Sequence, residues 1–435
     1  MELLMTVFHA VALVVPVVTL LVLWYRRKGI EIDHIFLFST GFIFYLVLSY
    51  TLAKSSFFSV YVGSPSYPVW KASYDLVTQE TWAWYLASLV FLYCAFIAGS
   101  WLAVRRSSSS VRVRNPIDPV ATNIFFAITM GFIAVFGYQL RDHFFWSYQK
   151  STQISVFSSF VAASILLISV TACVVIYRYH SGKSLRRSLL HPAVASYGVV
   201  AILLLSMGGR VIVVSSLLMI VIFYSVYVHR LRLSTSIAFF VFLVILSHIV
   251  ILWRMGFASE ILNPKQYYNV RGLEIALFSE NFNVSYSLMD FLAKYPIPLI
   301  RFPLILFSNF IGLMPSFIFP DKSAWILDVS SIGYTIGSPS GGFNAYVSLM
   351  VNFGIIGSSL FLFGLSYFLQ RLRQYQSTIA IAMYVLLSGW LAAMFFRDFG
   401  QTVIKQMFQF SVLMPLALLV LSRIITNKRK HSVLV

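Results

Sequence analysis

Apolar runs long enough to cross a lipid bilayer recur along this whole chain, and they restrict its fold more than any other feature. A transmembrane helix needs about 20 apolar residues, whereas a membrane barrel strand has about ten residues of alternating hydrophobicity. These runs are longer than barrel strands and apolar on all sides, so the sequence predicts an all-α polytopic membrane protein with about eleven transmembrane helices. The runs are residues 2–25, 33–53, 81–104, 120–140, 154–177, 193–207, 211–228, 234–253, 344–369, 378–396 and 402–422.

The distribution of charge predicts the orientation of these helices. Only 11% of the residues are charged, against about 25% in soluble proteins. The net charge of +18 would suggest a nucleic-acid partner in a soluble protein, but here alternate loops hold 19 of the 32 Lys and Arg residues and only three acidic residues. The positive-inside rule places that basic face in the cytoplasm. We therefore expect the N-terminus outside, the C-terminus inside and no nucleic-acid partner.

The chain is predicted to have three parts: helices 1–8 (1–254), a large outward-facing loop (255–343), and helices 9–11 with a basic tail (344–435). The loop is rich in Tyr, Phe, Ile and Leu, which argues against disorder. Its stretch 303–319 is apolar but contains two prolines. An interfacial or re-entrant helix is favoured there over a twelfth span, because one more crossing would place the later basic loops outside.

Arginine is concentrated on the face predicted to lie outside. Gly208–Gly209–Arg210 separates two short apolar runs, and the glycines allow a tight helical hairpin that leaves the guanidinium open to a ligand. Arginine binds phosphate through two parallel hydrogen bonds, although snorkelling to headgroups would also explain Arg210. An anionic substrate bound outside would account for the concentration, and salt bridges to loop carboxylates are the alternative. The other outer arginines are Arg254, Arg271, Arg301 and Arg397.

A second candidate site begins at Asn344, ten residues before Gly354–Ile355–Ile356–Gly357. That spacing is nearly three helical turns, which puts Asn344 at the outer mouth of the helix bundle and the glycines inside the membrane on much the same face. The glycine pair would let another helix approach closely. Ordinary small-residue packing and an N-cap asparagine explain the same pattern.

The chain lacks the sequence signatures of metal or cofactor chemistry. It contains no P-loop, GxSxG or HExxH motif. Cys94 and Cys173 lie inside apolar runs and are predicted to pack there. We expect neither a metal nor a cofactor.

Together these features resemble the O-antigen polymerase and ligase superfamily, and most closely the Wzy-type polymerases of oligosaccharide repeat units. The resemblance rests on the many helices, the large outer loop, an arginine in a short outer hairpin and the stretch Asn–x9–Gly–x–x–Gly. Phe343 stands where the ligases carry a histidine, which favours a polymerase. Arg210 is similar to the ligases' arginine at a short outer turn. Arg301 with Gly312 is similar to the Arg–x10–Gly motif of some polymerase loops.

The resemblance implies a bacterial inner-membrane glycosyltransferase with a GT-C-like fold and an active site that faces the periplasm. The donor would be a glycan on undecaprenyl pyrophosphate, and the acceptor would be one repeat unit on the same carrier. Transfer would invert the anomeric carbon without a metal. The expected partners are this lipid-linked oligosaccharide, the bilayer and a regulator of polysaccharide chain length.

Residue roles follow from this expected reaction. A pyrophosphate leaving group is stabilised by cations at the outer membrane surface, and a carboxylate helps to activate the acceptor hydroxyl. Asn344, Tyr346 and Arg397 are predicted to bind substrate, with an aromatic interface belt as the alternative for the tyrosine. The predicted catalytic arginines are Arg210, Arg254, Arg271 and Arg301. The candidate carboxylates are Glu280, Asp290, Asp321 and Asp328, and of these Glu280 and Asp328 are predicted to be catalytic.

Two other functions remain open at this point. A flippase for lipid-linked oligosaccharides should show charged residues deep in several helices and repeated halves, and these apolar runs are almost free of charge. The related ligase would join finished polymer to lipid A core, and Phe343 argues against it. In the favoured interpretation the large loop is one half of a site that closes over Arg210 and the mouth near Asn344.

Overall fold

The computed structural model gives a helical chain. The described residues contain helices and connecting segments, with no β-strand among them, and eight helices are long and apolar enough to cross a membrane. This confirms an α-helical polytopic membrane protein. The structure describes residues 2–27, 29–54, 77–105, 117–144, 155–207, 209–232, 234–236, 238, 241–242, 245, 284–311, 319, 321–337, 343–375, 377–393 and 407–433.

The helices follow the predicted apolar runs closely. The first half of the chain forms α1 (Glu2–Arg27), α2 (His34–Phe42), α3 (Leu48–Lys54), α4 (Gln79–Arg105), α5 (Pro119–Gln139), α6 (Ser155–His180), α7 (Leu185–Leu189), α8 (Pro192–Ser206) and α9 (Arg210–Phe223). The second half forms α10 (residues 284–294), α11 (Leu304–Ile311), α12 (Lys322–Trp325), α13 (Ala345–Gln374), α14 (Thr378–Ala393) and α15 (Met414–Val433). Turns of π-helix occur at Ile43–Val47, Tyr224–Val228 and Gln409–Leu413.

The number of spans remains a prediction. The structure supports eight spans by length and composition, and it adds α8 and α14 as shorter apolar helices. Most of the predicted run 234–253 lies outside the described residues. Helix α11 falls in the stretch 303–319, of which residues 312–318 lie outside the described part of the chain. The choice between an interfacial or re-entrant helix and a twelfth span therefore stays a prediction.

Three helices that begin at the basic face have well-defined first turns. The side chain of Asp33 accepts a hydrogen bond from the Phe36 amide at the start of α2. Asp118 caps α5 and His191 caps α8, and each is followed by a proline at the first helical position. Capping of this kind satisfies backbone N–H groups that a helix cannot bond internally, and proline has no such group to satisfy. The sequence thus fixes where these helices start.

The chain divides into two compact units, each assembled from separate stretches. Unit 1 comprises Met1–Arg106, Lys265–Gln370 and Trp390–Gln406, and unit 2 comprises Ser107–Pro264, Arg371–Gly389 and Met407–Val435. Many large apolar side chains on α1, such as Leu3 and Leu21, are exposed. Such a surface suits contact with lipid tails, because the helical backbone already satisfies its own hydrogen bonds.

Small residues and buried hydroxyl groups hold the helices together within each unit. In unit 1 a Cβ at Gly99 would lie 2.1 Å from the Phe363 carbonyl oxygen, so α4 and α13 pack at a distance only glycine permits. The Tyr85 hydroxyl donates to the Leu46 carbonyl in the π-helical turn at 2.8 Å. In unit 2 the Tyr197 and Ser216 hydroxyls bond α8 to α9. Close approach through small residues and interhelical hydrogen bonds are the usual means of packing in membranes.

Candidate functional site

A break in helix α13 organises the candidate site in unit 1. Gly354 has φ +69° and ψ 179° within this otherwise helical segment, a region of backbone conformation essentially restricted to glycine. The break lies about 14 Å along the helix from its first residue. Backbone groups on both sides of Gly354 are thereby released from the helical hydrogen-bond pattern, and in a membrane they require other partners.

The segment just before α11 supplies those partners. The amides of Ile355 and Ile356 donate to the carbonyls of Pro298 and Leu299 at 2.9 and 3.0 Å, and the Arg301 amide donates to the Phe353 carbonyl at 3.0 Å. A Cβ on Gly354 would lie 2.6 Å from the Pro298 carbonyl oxygen. The glycine therefore does not serve the helix–helix contact predicted for the Gly–x–x–Gly pair. It admits the backbone of residues 298–301 into the break in α13.

Helix α11 is attached to the same break. Asn352 accepts a hydrogen bond from the Leu306 amide at 2.9 Å through its side-chain oxygen, and its amide group donates to the Ser348 carbonyl at 2.7 Å. The side chains of Leu299, Ile300 and Phe302 are exposed. An extended segment bonded on one side and apolar on the other fits the border between protein and lipid.

Arg301, held by this segment, is the predicted catalytic arginine whose surroundings are described. Its guanidinium carbon lies 4.8 Å from the centre of the Tyr334 ring, and the guanidinium donates a hydrogen bond to the Tyr334 hydroxyl. The side chain is half-buried. Within the described part of the chain it forms no salt bridge with a carboxylate. Its charge is thus positioned by a cation–π contact, and a guanidinium group has the geometry to bind an anion such as phosphate.

Helix α10 ties the loop around Tyr334 to the rest of the site. The buried Asp290 carboxylate accepts hydrogen bonds from the Lys294 ammonium at 2.8 Å and from the Gly337 amide at 2.7 Å. The Tyr295 hydroxyl accepts a hydrogen bond from the Thr335 amide at 2.8 Å. Bonding to Asp290 raises the pKa of Lys294 above its ordinary value, because the carboxylate favours the charged ammonium. These contacts fix the loop that carries Tyr334.

Asn344 adds a hydrogen-bond donor to the same region. Its side-chain oxygen accepts from the Tyr346 amide at 2.8 Å, so Asn344 is the N-cap of α13, as the alternative interpretation of the sequence has it. Its backbone amide donates to the Ser287 hydroxyl of α10 at 3.0 Å. The residue is fully buried, and its side-chain NH2 group has no hydrogen-bond acceptor among the described residues. A buried donor without a partner is costly. Because the residue has no exposed surface, its substrate-binding role stays a prediction.

Asp328, a predicted catalytic carboxylate, forms hydrogen bonds within its own turn. Its carboxylate accepts from the Ser331 amide and hydroxyl, both at 2.6 Å, and from the Ser330 hydroxyl at 2.8 Å. These bonds lower the pKa of Asp328 to about 2. A carboxylate with so low a proton affinity is poorly matched to general-base catalysis near neutral pH. Asp328 therefore stabilises the turn that precedes Tyr334.

No protein-family model, curated protein or solved structure matches this chain.

The remaining predicted residues divide into three groups. Tyr346 is completely buried, and a ring without exposed surface cannot stack on a sugar. Helix α8 ends at Ser206 and α9 begins at Arg210, so the predicted helical hairpin is present in unit 2, although the Arg210 side chain lies outside what the structure describes. The predicted residues outside the described part of the chain are Arg254, Arg271, Glu280 and Arg397.

Several features of the site were not predicted, although the sequence carries signals for them. Asp290 is among the predicted candidate carboxylates, but its pairing with Lys294 was not predicted. The two residues are spaced i, i+4, the separation at which opposite charges pair on one helix face. Pro296 and Pro298 favour an extended segment before α11. The break at Gly354 has a weaker signal, because a glycine in an apolar helix is more often a packing residue.

Proposed function

We propose that this protein polymerises oligosaccharide repeat units that are linked to a polyprenyl pyrophosphate, at the outer face of a bacterial inner membrane. The observation that carries the proposal is Arg301, which is half-buried, stacked on Tyr334 and without a carboxylate partner in the described part of unit 1. A guanidinium held in this way suits the phosphate of a lipid carrier, because arginine binds phosphate through paired hydrogen bonds.

The position of Arg301 supports a lipid-linked substrate in particular. The arginine follows a segment with exposed apolar side chains that is bonded into a transmembrane helix. A phosphate at that border would have its prenyl chain on the lipid side and its sugars on the water side. Tyr295 and Tyr334 form an edge-to-face pair with ring centres 4.8 Å apart, and aromatic faces of this kind contact the apolar faces of sugar rings.

The expected chemistry is a displacement at the anomeric carbon of the donor sugar. An acceptor hydroxyl oxygen forms the new glycosidic bond, the bond from the anomeric carbon to pyrophosphate oxygen breaks, and a base takes the hydroxyl proton. Arg301 stabilises the charge that develops on the leaving pyrophosphate. The predicted substrate-binding role of Asn344 would be to donate a hydrogen bond from its side-chain NH2 group. The catalytic roles of Arg210, Arg254 and Arg271 and the substrate-binding role of Arg397 stay predictions.

The proposal is tested by gel analysis of surface polysaccharide from cells in which the chromosomal gene is deleted. Wild-type protein or a variant is expressed in these cells from a plasmid, and an immunoblot of the membrane fraction checks insertion. Wild type should give a full ladder of chain lengths, and Arg301→Ala should give single repeat units joined to lipid A core. Arg301→Lys should give a weak ladder, because lysine keeps the charge and loses the paired hydrogen bonds.

Arg141 provides a matched control. It also lies over a tyrosine ring, that of Tyr138, at 4.3 Å, but it is exposed and pairs with Asp142 at 3.5 Å. Arg141→Ala should therefore keep the full ladder. A full ladder with Arg301→Ala would contradict the proposal. In cells that lack the gene, free lipid-linked polymer would instead indicate a ligase, and loss of all outward-facing repeat units would indicate a flippase.

A further inference from the structure

Unit 2 contains an apolar cavity of about 440 Å³, within the range of small-molecule pockets. Helices α6, α8 and α9 line it, and Leu185 and Leu189 of the short helix α7 close one side. Three polar side chains in the wall are already bonded within unit 2. Thr171 donates to the Ala193 carbonyl at 3.3 Å, and the Tyr197 and Ser216 hydroxyls bond to each other. These three hydroxyl groups therefore already have partners, and the cavity offers a ligand a mainly apolar surface.

Exposed arginines are adjacent in sequence to lining residues at one end of the cavity. Leu185 and Leu189 line the cavity, while Arg186 and Arg187 on the same helix are exposed. Likewise Leu231 lines the cavity between two exposed arginines. The stretches 178–191 and 229–236 contain no acidic residue at all. A positive rim around an apolar cavity is complementary to a molecule with an anionic head and a hydrocarbon tail.

Arg178 strengthens this complementarity. It lies at the end of α6, two residues after the lining residue Ile176, and its guanidinium donates to the Arg187 carbonyl at 3.1 Å. Its Nε atom is buried and has no acceptor among the residues that the structure describes. Burial, together with the charges of Arg178 and Lys183, lowers the pKa of His191, which indicates a positive potential at this end. A phosphate oxygen would supply the missing acceptor.

We propose that this cavity is a binding site for an anionic glycerophospholipid, with an acyl chain among the apolar side chains and the phosphate among Arg178, Arg186 and Arg187. The site lies at the face that the positive-inside rule places in the cytoplasm. It is independent of the proposed polymerase site in unit 1.

The test compares the thermal stability of purified, delipidated protein in detergent after addition of dioleoyl phosphatidylglycerol or dioleoyl phosphatidylcholine. A ligand that binds the folded state raises the midpoint of unfolding. We expect phosphatidylglycerol to raise the midpoint by several degrees more than phosphatidylcholine, and inorganic phosphate to have no such effect. An equal shift with both lipids, or the same shift with phosphate alone, would overturn the proposal.

Two pairs of variants locate the site. Val194 lines the cavity and its neighbour Ala195 is exposed, so Val194→Phe should abolish the phosphatidylglycerol shift and Ala195→Phe should keep it. Arg186→Gln should weaken phosphatidylglycerol binding about tenfold. Arg423→Gln removes an exposed arginine on a helix that does not line the cavity, and should leave binding unchanged. An Arg186→Gln protein that binds phosphatidylglycerol as wild type does would contradict the proposal even if Val194→Phe fails to fold.

Discussion

Two arginine–tyrosine stacks in different units show what distinguishes a candidate binding group from an ordinary surface pair. Arg141 lies over Tyr138 in a turn that follows α5, and its charge is already paired with Asp142, both side chains being mostly exposed. Arg301 lies over Tyr334 on a segment bonded into a broken helix, and no carboxylate pairs with it in the described part of unit 1. Both guanidinium groups lie over a tyrosine ring. The two stacks differ in how the arginine is held and in whether a carboxylate pairs with it.

The largest effect is expected from removing the positioning of Arg301. Gly354→Ala places a Cβ at 2.6 Å from the Pro298 carbonyl oxygen and requires alanine at φ +69°. Backbone strain of this kind costs about 1–3 kcal/mol, and the clash adds to it. We expect the free energy of unfolding to fall by about 3–5 kcal/mol in total. Thermal unfolding in detergent should show a lower midpoint, and the variant should make no polymer.

Gly364→Ala in the same helix is the control for this change. Nothing lies within 4 Å of a Cβ at Gly364, and alanine favours helix over glycine by about 1 kcal/mol. The variant should be as stable as wild type or slightly more so. If Gly354→Ala and Gly364→Ala behaved alike, the break would not be needed to hold Arg301.

An intermediate effect is expected from releasing the loop that carries Tyr334. Asp290 is buried and bonds Lys294 and the Gly337 amide, whereas Asp142 is exposed. Asp290→Asn should destabilise the protein by about 1.5 kcal/mol, allowing for the half-exposed lysine. Asp142→Asn should cost less than about 0.5 kcal/mol. Thermal unfolding of the two variants side by side measures the difference, and equal midpoints would contradict a role for Asp290 in holding the loop.

The smallest effect is expected at Asp328. Its pKa of about 2 lies below the ordinary value near 3.9, so its stabilising effect is fully present above that ordinary value and is lost as the pH falls through about 2. Polymer formation between pH 5 and 8 should therefore not depend on its titration. Asp328→Asn should keep more than about half of the activity with an unchanged pH profile. A loss of about 100-fold or more, the size expected for a general base, would restore Asp328 as the catalytic carboxylate.

The sequence predicted the helices better than the site. Apolar runs predicted the positions of the long helices, because a helix in lipid needs a continuous apolar length. The N-cap role of Asn344 was predicted from its residue type. The pairing of Pro298, Leu299 and Arg301 with the break at Gly354 could not be predicted, because it joins backbone groups about fifty residues apart and the side chains hardly encode it. The catalytic role of Asp328 stays a prediction. Its hydrogen bonds to Ser330 and Ser331 could not be predicted, because a carboxylate in a loop looks the same in the sequence whether it binds a proton or caps a turn.

The central claim is that Arg301 holds the pyrophosphate of a lipid-linked glycan during polymerisation. The most direct measurement is chain growth by purified protein in liposomes supplied with undecaprenyl-pyrophosphate-linked repeat units, followed by gel analysis of the lipid-linked products. We expect a ladder of products with wild type and Arg141→Ala, and a rate at least about 100-fold lower with Arg301→Ala, the loss typical of a removed charge-stabilising donor. A wild-type protein that makes no ladder, or an Arg301→Ala protein that makes one at the wild-type rate, would contradict it.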